Sequence, residues 1–113
     1  MLYYSTNNKS ITADFKQATI QGQAPDKGLY FPEHIPTISP DFIKHIDDYS
    51  KEEIALQVIQ PYIGNTIPTA ELQRIIQETI DFDFPLVPVN DSIYSLELFH
   101  GPTLAFKDVG HGL

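Results

Sequence analysis

One lysine near the end of the chain stands where an amine could do covalent chemistry. Lys107 is flanked by Ala105, Phe106 and Val109, and an amine in apolar company loses hydration, which favours its neutral form and lowers its pKa. A neutral amine condenses with an aldehyde. On the residues alone, the alternative is a surface lysine at a helix start, its stem laid over its neighbours and its charge in water. The other candidate groups converge less. His34, His45, His100 and His111 give no pair at metal-ligand spacing on one expected helix, and the chain has no cysteine. A zinc site would need distant recruits, so no metal is expected. Asp81 and Asp83 are spaced so as to face opposite sides of a strand, and they do not converge on a helix either. They read as helix-end or solvent-facing carboxylates. Glu52-Glu53 falls in a helix first turn, where negative charge is favourable.

The lysine must be delivered by the elements before it. Ile93 to Phe99 alternates as a half-buried strand does, with Tyr94, Leu96 and Leu98 on one side and Ser95 and Glu97 on the other, and Gly101-Pro102 breaks the run. Asn90-Asp91 supplies a tight turn from the extended Leu86-Val87-Pro88-Val89, whose proline suits an edge. Upstream, Leu72, Ile75, Ile76, Thr79 and Ile80 make one apolar stripe over 69–80, with Glu71, Arg74, Gln77 and Glu78 toward water. Ser50-Lys51-Glu52-Glu53 is a capping box opening a helix that Pro61 should limit. Ser39-Pro40-Asp41 opens a shorter helix through Ile46, with Phe42, Ile43 and Ile46 expected to face inward. Pro32, Pro36 and Pro40 keep the stretch before it extended. Nearer the start, Leu2-Tyr3-Tyr4 reads as a strand, and Ile11 to Ile20 as a helix capped by Thr12 and ended by Gly22. Pro25-Asp26-Lys27-Gly28 is a turn into strand-like Leu29-Tyr30-Phe31. The expected class is α+β, several amphipathic helices packed with a few short, largely antiparallel strands. Its core should draw on Tyr4, Phe15, Leu29, Phe31, Ile54, Val58, Ile59, Leu72, Ile75, Ile76 and Leu96.

Phe99-His100-Gly101-Pro102-Thr103-Leu104-Ala105-Phe106-Lys107-Asp108 resembles the lysine segment of the threonine synthase family, enzymes that use pyridoxal phosphate (PLP) to turn O-phospho-L-homoserine and water into L-threonine and phosphate. Leu2-Tyr3-Tyr4-Ser5-Thr6 is similar to that family's opening strand, and Gly22 to Glu33 to its GLAPDGGLYxPE-like signature. The likeness departs at Lys27, where glycine is more usual, and at His111-Gly112-Leu113, where the family carries an arginine-containing helix. The resemblance implies that Lys107 holds the cofactor's aldehyde covalently and then acts as a general base. It implies that His100 contacts cofactor or substrate, where the residue by itself reads equally as a histidine that hydrogen-bonds the turn, and that Thr103 contacts substrate. It further implies a division into 1–90, an N-terminal domain, and 91–113, the strand and loop that bring the lysine to a cofactor domain beyond residue 113. On that reading the chain alone has no turnover, and its exposed C-terminal segment favours self-association.

Composition bounds the alternatives. A chain of 113 residues with 42% hydrophobic and 19% charged side chains is long enough for a core and not disordered in character. Its 15 acidic against 7 basic residues give a formal charge of −8, which disfavours nucleic acid and anionic membrane surfaces as partners. Six tyrosines and seven phenylalanines are not interleaved with basic residues, so they read as core and not as a stacking platform. No apolar run approaches a membrane span, and the cytoplasm is the expected compartment. The competing functional reading is a free-standing interaction domain in which Lys107 has no chemistry.

Overall fold

Leu2-Tyr3-Tyr4-Ser5 alternates about the backbone, and the computed structural model folds it as β1 (Leu2–Ser5), with Tyr3 and Ser5 buried and Leu2 exposed. The structure describes residues 1–111; Gly112 and Leu113, the end of the departing tripeptide, lie outside the described residues. β1 is the middle strand of a three-stranded antiparallel sheet, flanked by β2 (Thr12–Asp14) and β3 (Tyr30–Pro32). Tyr3 stands opposite Ala13, and Tyr4 opposite Phe31.

The first helix therefore starts later than the sequence suggests. Thr12 is not its cap. Thr12-Ala13-Asp14 pairs with β1, satisfying backbone groups that an edge would leave open, and α1 (Phe15–Gln21) begins after Asp14. Asp14 Oδ1 accepts from the Gln17 amide at 2.8 Å, and the Gln17 side chain accepts from the Asp14 amide at 3.2 Å, a reciprocal cap that Thr12 could not have made. Gly22 ends α1 at φ +68°, as its position implied. Tyr3, Ala13 and Ala18 form a small core against which Met1, Phe15 and Tyr30 pack. Two expected core residues are not in it: Phe31 (43% exposed) pairs with Tyr4 on the other face of the sheet, and Leu29 (64%) precedes β3.

The turn before β3 is held by one carboxylate. Asp26 Oδ1 accepts from Ser5 Oγ at 2.7 Å and from the Gly28 amide at 3.0 Å, while Asn7 Nδ2 donates to the Asp26 carbonyl at 3.0 Å. Lys27 sits between them at φ +66°, the left-handed region that explains the glycine usual in the resembling signature. The Ser5 hydroxyl, and after it the Gly28 amide, hold the Asp26 carboxyl below its ordinary range. Such a group adds stability above its unfolded pKa and loses it as pH falls through the folded one. Acid unfolding should therefore deepen below about pH 4, and Asp26→Asn should remove its part of that dependence. An acid limb of the same slope in the variant would contradict this role.

Ser39 caps α2 (Pro40–Lys44), which ends two residues short of Ile46 and passes into a 3-10 turn at Ile46–Asp48. Ile43 and Ile46 are exposed, against expectation, because little more than one helical turn cannot aim three side chains inward; only Phe42 is half-buried, its ring 4.6 Å from that of Tyr49. The capping box opens α3 (Lys51–Ile63) as read, with Ser50 and Glu53 exchanging bonds of 3.2 and 2.8 Å. α3 runs through Pro61, since a proline so near the end forfeits one hydrogen bond and no more of the helix. Ile63 is buried, Ile54 and Ile59 are half-buried, and Val58 is exposed, a correction to the expected core. The Tyr3 hydroxyl donates to the Tyr62 carbonyl at 2.8 Å.

The chain divides into two compact units between Thr69 and Ala70, whereas the functional division expected at residue 90 would leave α4 with the first part. In the second unit, α4 (Thr69–Thr79) buries Leu72 and Ile76, followed by buried Ile80, and Arg74 bonds Glu71 at 3.0 Å and Glu78 at 2.7 Å on its outer face. β4 (Leu86–Asn90) and β5 (Ile93–Leu96) form an antiparallel hairpin, its turn closed by Asn90 Oδ1 accepting from the Ser92 and Ile93 amides. β5 stops at Leu96, short of Phe99, and Leu96 is 56% exposed where it was expected in the core. Period-2 alternation tells which residues share a face, not what covers it. The α+β class holds, with five helices and short antiparallel strands among the described residues.

Candidate active site

The hairpin hands the chain to a loop of unusual closure. After β5, Glu97 and His100 face each other, with Oε2 and Nε2 2.7 Å apart, and the His100 ring lies 4.6 Å from that of Phe99. Gly101-Pro102-Thr103-Leu104 then turns, the Leu104 amide donating to the Gly101 carbonyl at 3.0 Å, with Leu104 at φ +59°. A short helix, α5 (Lys107–His111), follows, and Lys107 is its first residue.

Asp108 ties these parts together. Its Oδ1 accepts from the Thr103 hydroxyl at 2.5 Å and its Oδ2 from the Thr103 amide at 2.9 Å. Gly101 is buried against it: a Cβ there would lie 2.6 Å from both the Cβ and Oδ2 of Asp108. The Thr103 hydroxyl is the main cause holding the Asp108 carboxyl below its ordinary range, with its partial burial acting the other way.

Lys107 itself is exposed, as are Leu104 and Phe106, so the described residues do not supply the dehydrated surroundings expected for its amine. His100 is exposed too, and Thr103 has its proton committed to Asp108. Among the described residues no hydrogen bond joins His100 or Thr103 to Lys107. The loop places the three close in sequence without joining them. Sequence reasoning missed Glu97, Gly101 and Asp108 as contributors. The available signal was a threonine just after a Gly-Pro turn and five residues before an aspartate, the reach at which a side chain can close a loop on a backbone amide.

Lys107 is the group that could hold an aldehyde cofactor, and no glycine-rich loop leads into a helix N-terminus to cradle a phosphate among the described residues. No cluster of three or more His, Asp or Glu side chains there could hold a metal. Two shallow grooves of the first unit, one beside Phe15, Ala18 and Tyr30 and one beside Phe42, Val58 and Tyr62, are lined by none of the lysine segment. No described helix is long and apolar enough to cross a membrane.

A family profile described as "Threonine synthase N terminus" matches residues 2–80. The chain is similar to the threonine synthase of Pseudomonas aeruginosa, with 36% identity over 96% of this chain and 24% of the relative. Among solved structures it is similar to threonine synthase from Escherichia coli, at a TM-score of 0.89 and 33% identity over 97% of this chain and 26% of that one. It is also similar to PLP-bound threonine synthase from Brucella melitensis, at 0.87 and 39% over 96% and 25%. The chain thus spans about a quarter of the length of the relatives it matches.

Proposed function

The chain belongs to the threonine synthase family, and on that premise we propose that it forms the N-terminal part of a PLP-dependent lyase of threonine biosynthesis. The reaction converts O-phospho-L-homoserine and water to L-threonine and phosphate, in the cytoplasm. The observation that carries this reading is the lysine segment: Lys107 stands exposed at the start of α5, on a loop closed by Thr103 and Asp108. On this reading residues 91–113 deliver the lysine and residues 1–90 are the N-terminal domain.

The chemistry of Lys107 fits the cofactor in one respect, since an exposed primary amine can meet an aldehyde without displacing a neighbour. Bound there, PLP would supply an electron sink for the charge left by proton removal. Lys107 does two things with one nitrogen. Its Nζ would hold the aldehyde and, when free, would act as general base, taking the α-proton and giving it up again before it takes a β-proton. Loss of phosphate and addition of water at the β-carbon, with protons returned to the γ- and α-carbons, would complete the conversion. His100, with Nε2 facing Glu97, offers Nδ1 to the substrate, and Thr103 offers only its oxygen lone pairs. The exposed Leu104 and Phe106 support burial against the cofactor-binding part or, in the chain alone, self-association. A free-standing interaction domain would leave the lysine segment without account.

The test is a chimera in which this chain replaces the matching N-terminal quarter of the Pseudomonas aeruginosa relative. It should turn over O-phosphohomoserine, and the 113-residue chain alone should not. A chimera that folds and takes up PLP but releases no phosphate would overturn the reading.

A further inference from the structure

Asp108 touches neither end of the chemistry assigned to Lys107, yet it follows that lysine directly and reaches back five residues to Thr103 with both carboxylate oxygens. We infer that Asp108 is the positioning residue for Lys107: with Gly101 and Thr103 it closes the loop into a ring that fixes where the lysine side chain leaves the backbone. The inference rests on the role proposed for Lys107 above.

Three observations converge on it. The bond to Thr103 is double, taking both hydroxyl and amide, so it sets orientation as well as distance. Gly101 packs on the Asp108 side chain so closely that any side chain there would strike it. Leu104, between Thr103 and Lys107, is held at φ +59°, a conformation that persists in a non-glycine residue only where its surroundings over-determine it. A ring of this kind holds the first turn of α5 where five residues of helix could not hold themselves. The carboxylate acts through the backbone of Lys107. It donates no proton and meets no substrate.

The test has two arms. In the 113-residue chain, amide exchange followed by NMR should show Thr103 protected, and Asp108→Ala should speed its exchange by about tenfold or more. Asp108→Asn should keep most of the protection, because its amide oxygen can accept from the Thr103 amide and its NH₂ can donate to the Thr103 oxygen. In the chimera, Asp108→Ala should lower kcat by about 10²-fold with KM little changed, and Asp108→Asn should restore most of it. Gly101→Ala, reaching the same ring from its other side, should follow Asp108→Ala in both arms. Unchanged Thr103 exchange in Asp108→Ala would overturn the ring. Faster exchange with kcat unchanged would overturn the positioning. Failure of the broader reading shows itself separately, as a wild-type chimera without turnover, and the exchange arm still decides the ring.

Discussion

Replacing Lys107 by arginine in the chimera should abolish measurable turnover, a loss of about 10²–10⁴-fold or more, and alanine should do the same. Arginine keeps the positive charge and most of the reach, but its guanidinium stays protonated and does not condense with an aldehyde. The pair of variants thus separates a covalent role from an electrostatic one. If the charge alone served to attract phosphate, arginine would retain much of the activity and alanine would lose it. The visible absorbance of lysine-bound PLP should vanish in both variants, because the band requires a covalent nitrogen. Five other lysines, Lys9, Lys16, Lys27, Lys44 and Lys51, can react weakly with free aldehyde, so the band must be read on the gel-filtered chimera. An arginine variant that kept wild-type turnover would sink the assignment.

Gly28→Ala should be the most damaging single-methyl change in the first unit. A Cβ at this position would lie 2.0 Å from Ser5 Oγ and 2.9 Å from the Asn7 amide nitrogen. Neither neighbour is free to move, since Ser5 is fully buried and bonded to Asp26, and the Asn7 amide donates back to Ser5 Oγ at 3.2 Å. Overpacking of this kind costs about 3 kcal/mol or more, which in a domain of this size lowers Tm by roughly 10–20 °C. Thermal unfolding of the chain measures it. Adding Ser5→Ala removes the closer clash, so the double variant should fall well short of the summed losses. A double variant as unstable as the sum would show that strain at Gly28 does not run through Ser5.

What could be read from the sequence was what acts over a few residues. The Ser50–Glu53 box, the Pro40 start after Ser39, the Asn90-Asp91 turn and Gly22 as a helix stop are each decided by neighbours within a turn, and each is present. The first helix was misread because Thr12 obeys a distant strand: its pairing with Tyr4 outweighs its local capping tendency. Burial failed in the same way. Leu96, Phe31 and Val58 lie on well-patterned elements yet are exposed, while Ala13, Ala18 and Ala24 carry the tight packing that alternation and periodicity undervalue. At the candidate site the lysine was legible by residue type and resemblance. The loop that presents it was not, because Asp108 looked like one more surface carboxylate until its two bonds to Thr103 were seen.

The bond from the Tyr3 hydroxyl to the Tyr62 carbonyl spans 59 residues of sequence. It satisfies one of the carbonyls that the end of α3 leaves without a helical partner, and it draws that partner from the first strand. Fraying at the end of α3 would release a phenol that is otherwise buried, and release of the strand would strip the helix end of its cap. The two ends of the first unit are therefore coupled in local unfolding, with neither free to open as a low-energy fluctuation of its own. In kinetic terms this places so long-range a contact late, after α3 and the sheet have each formed, because its loop-closure entropy is recovered only when both are in place.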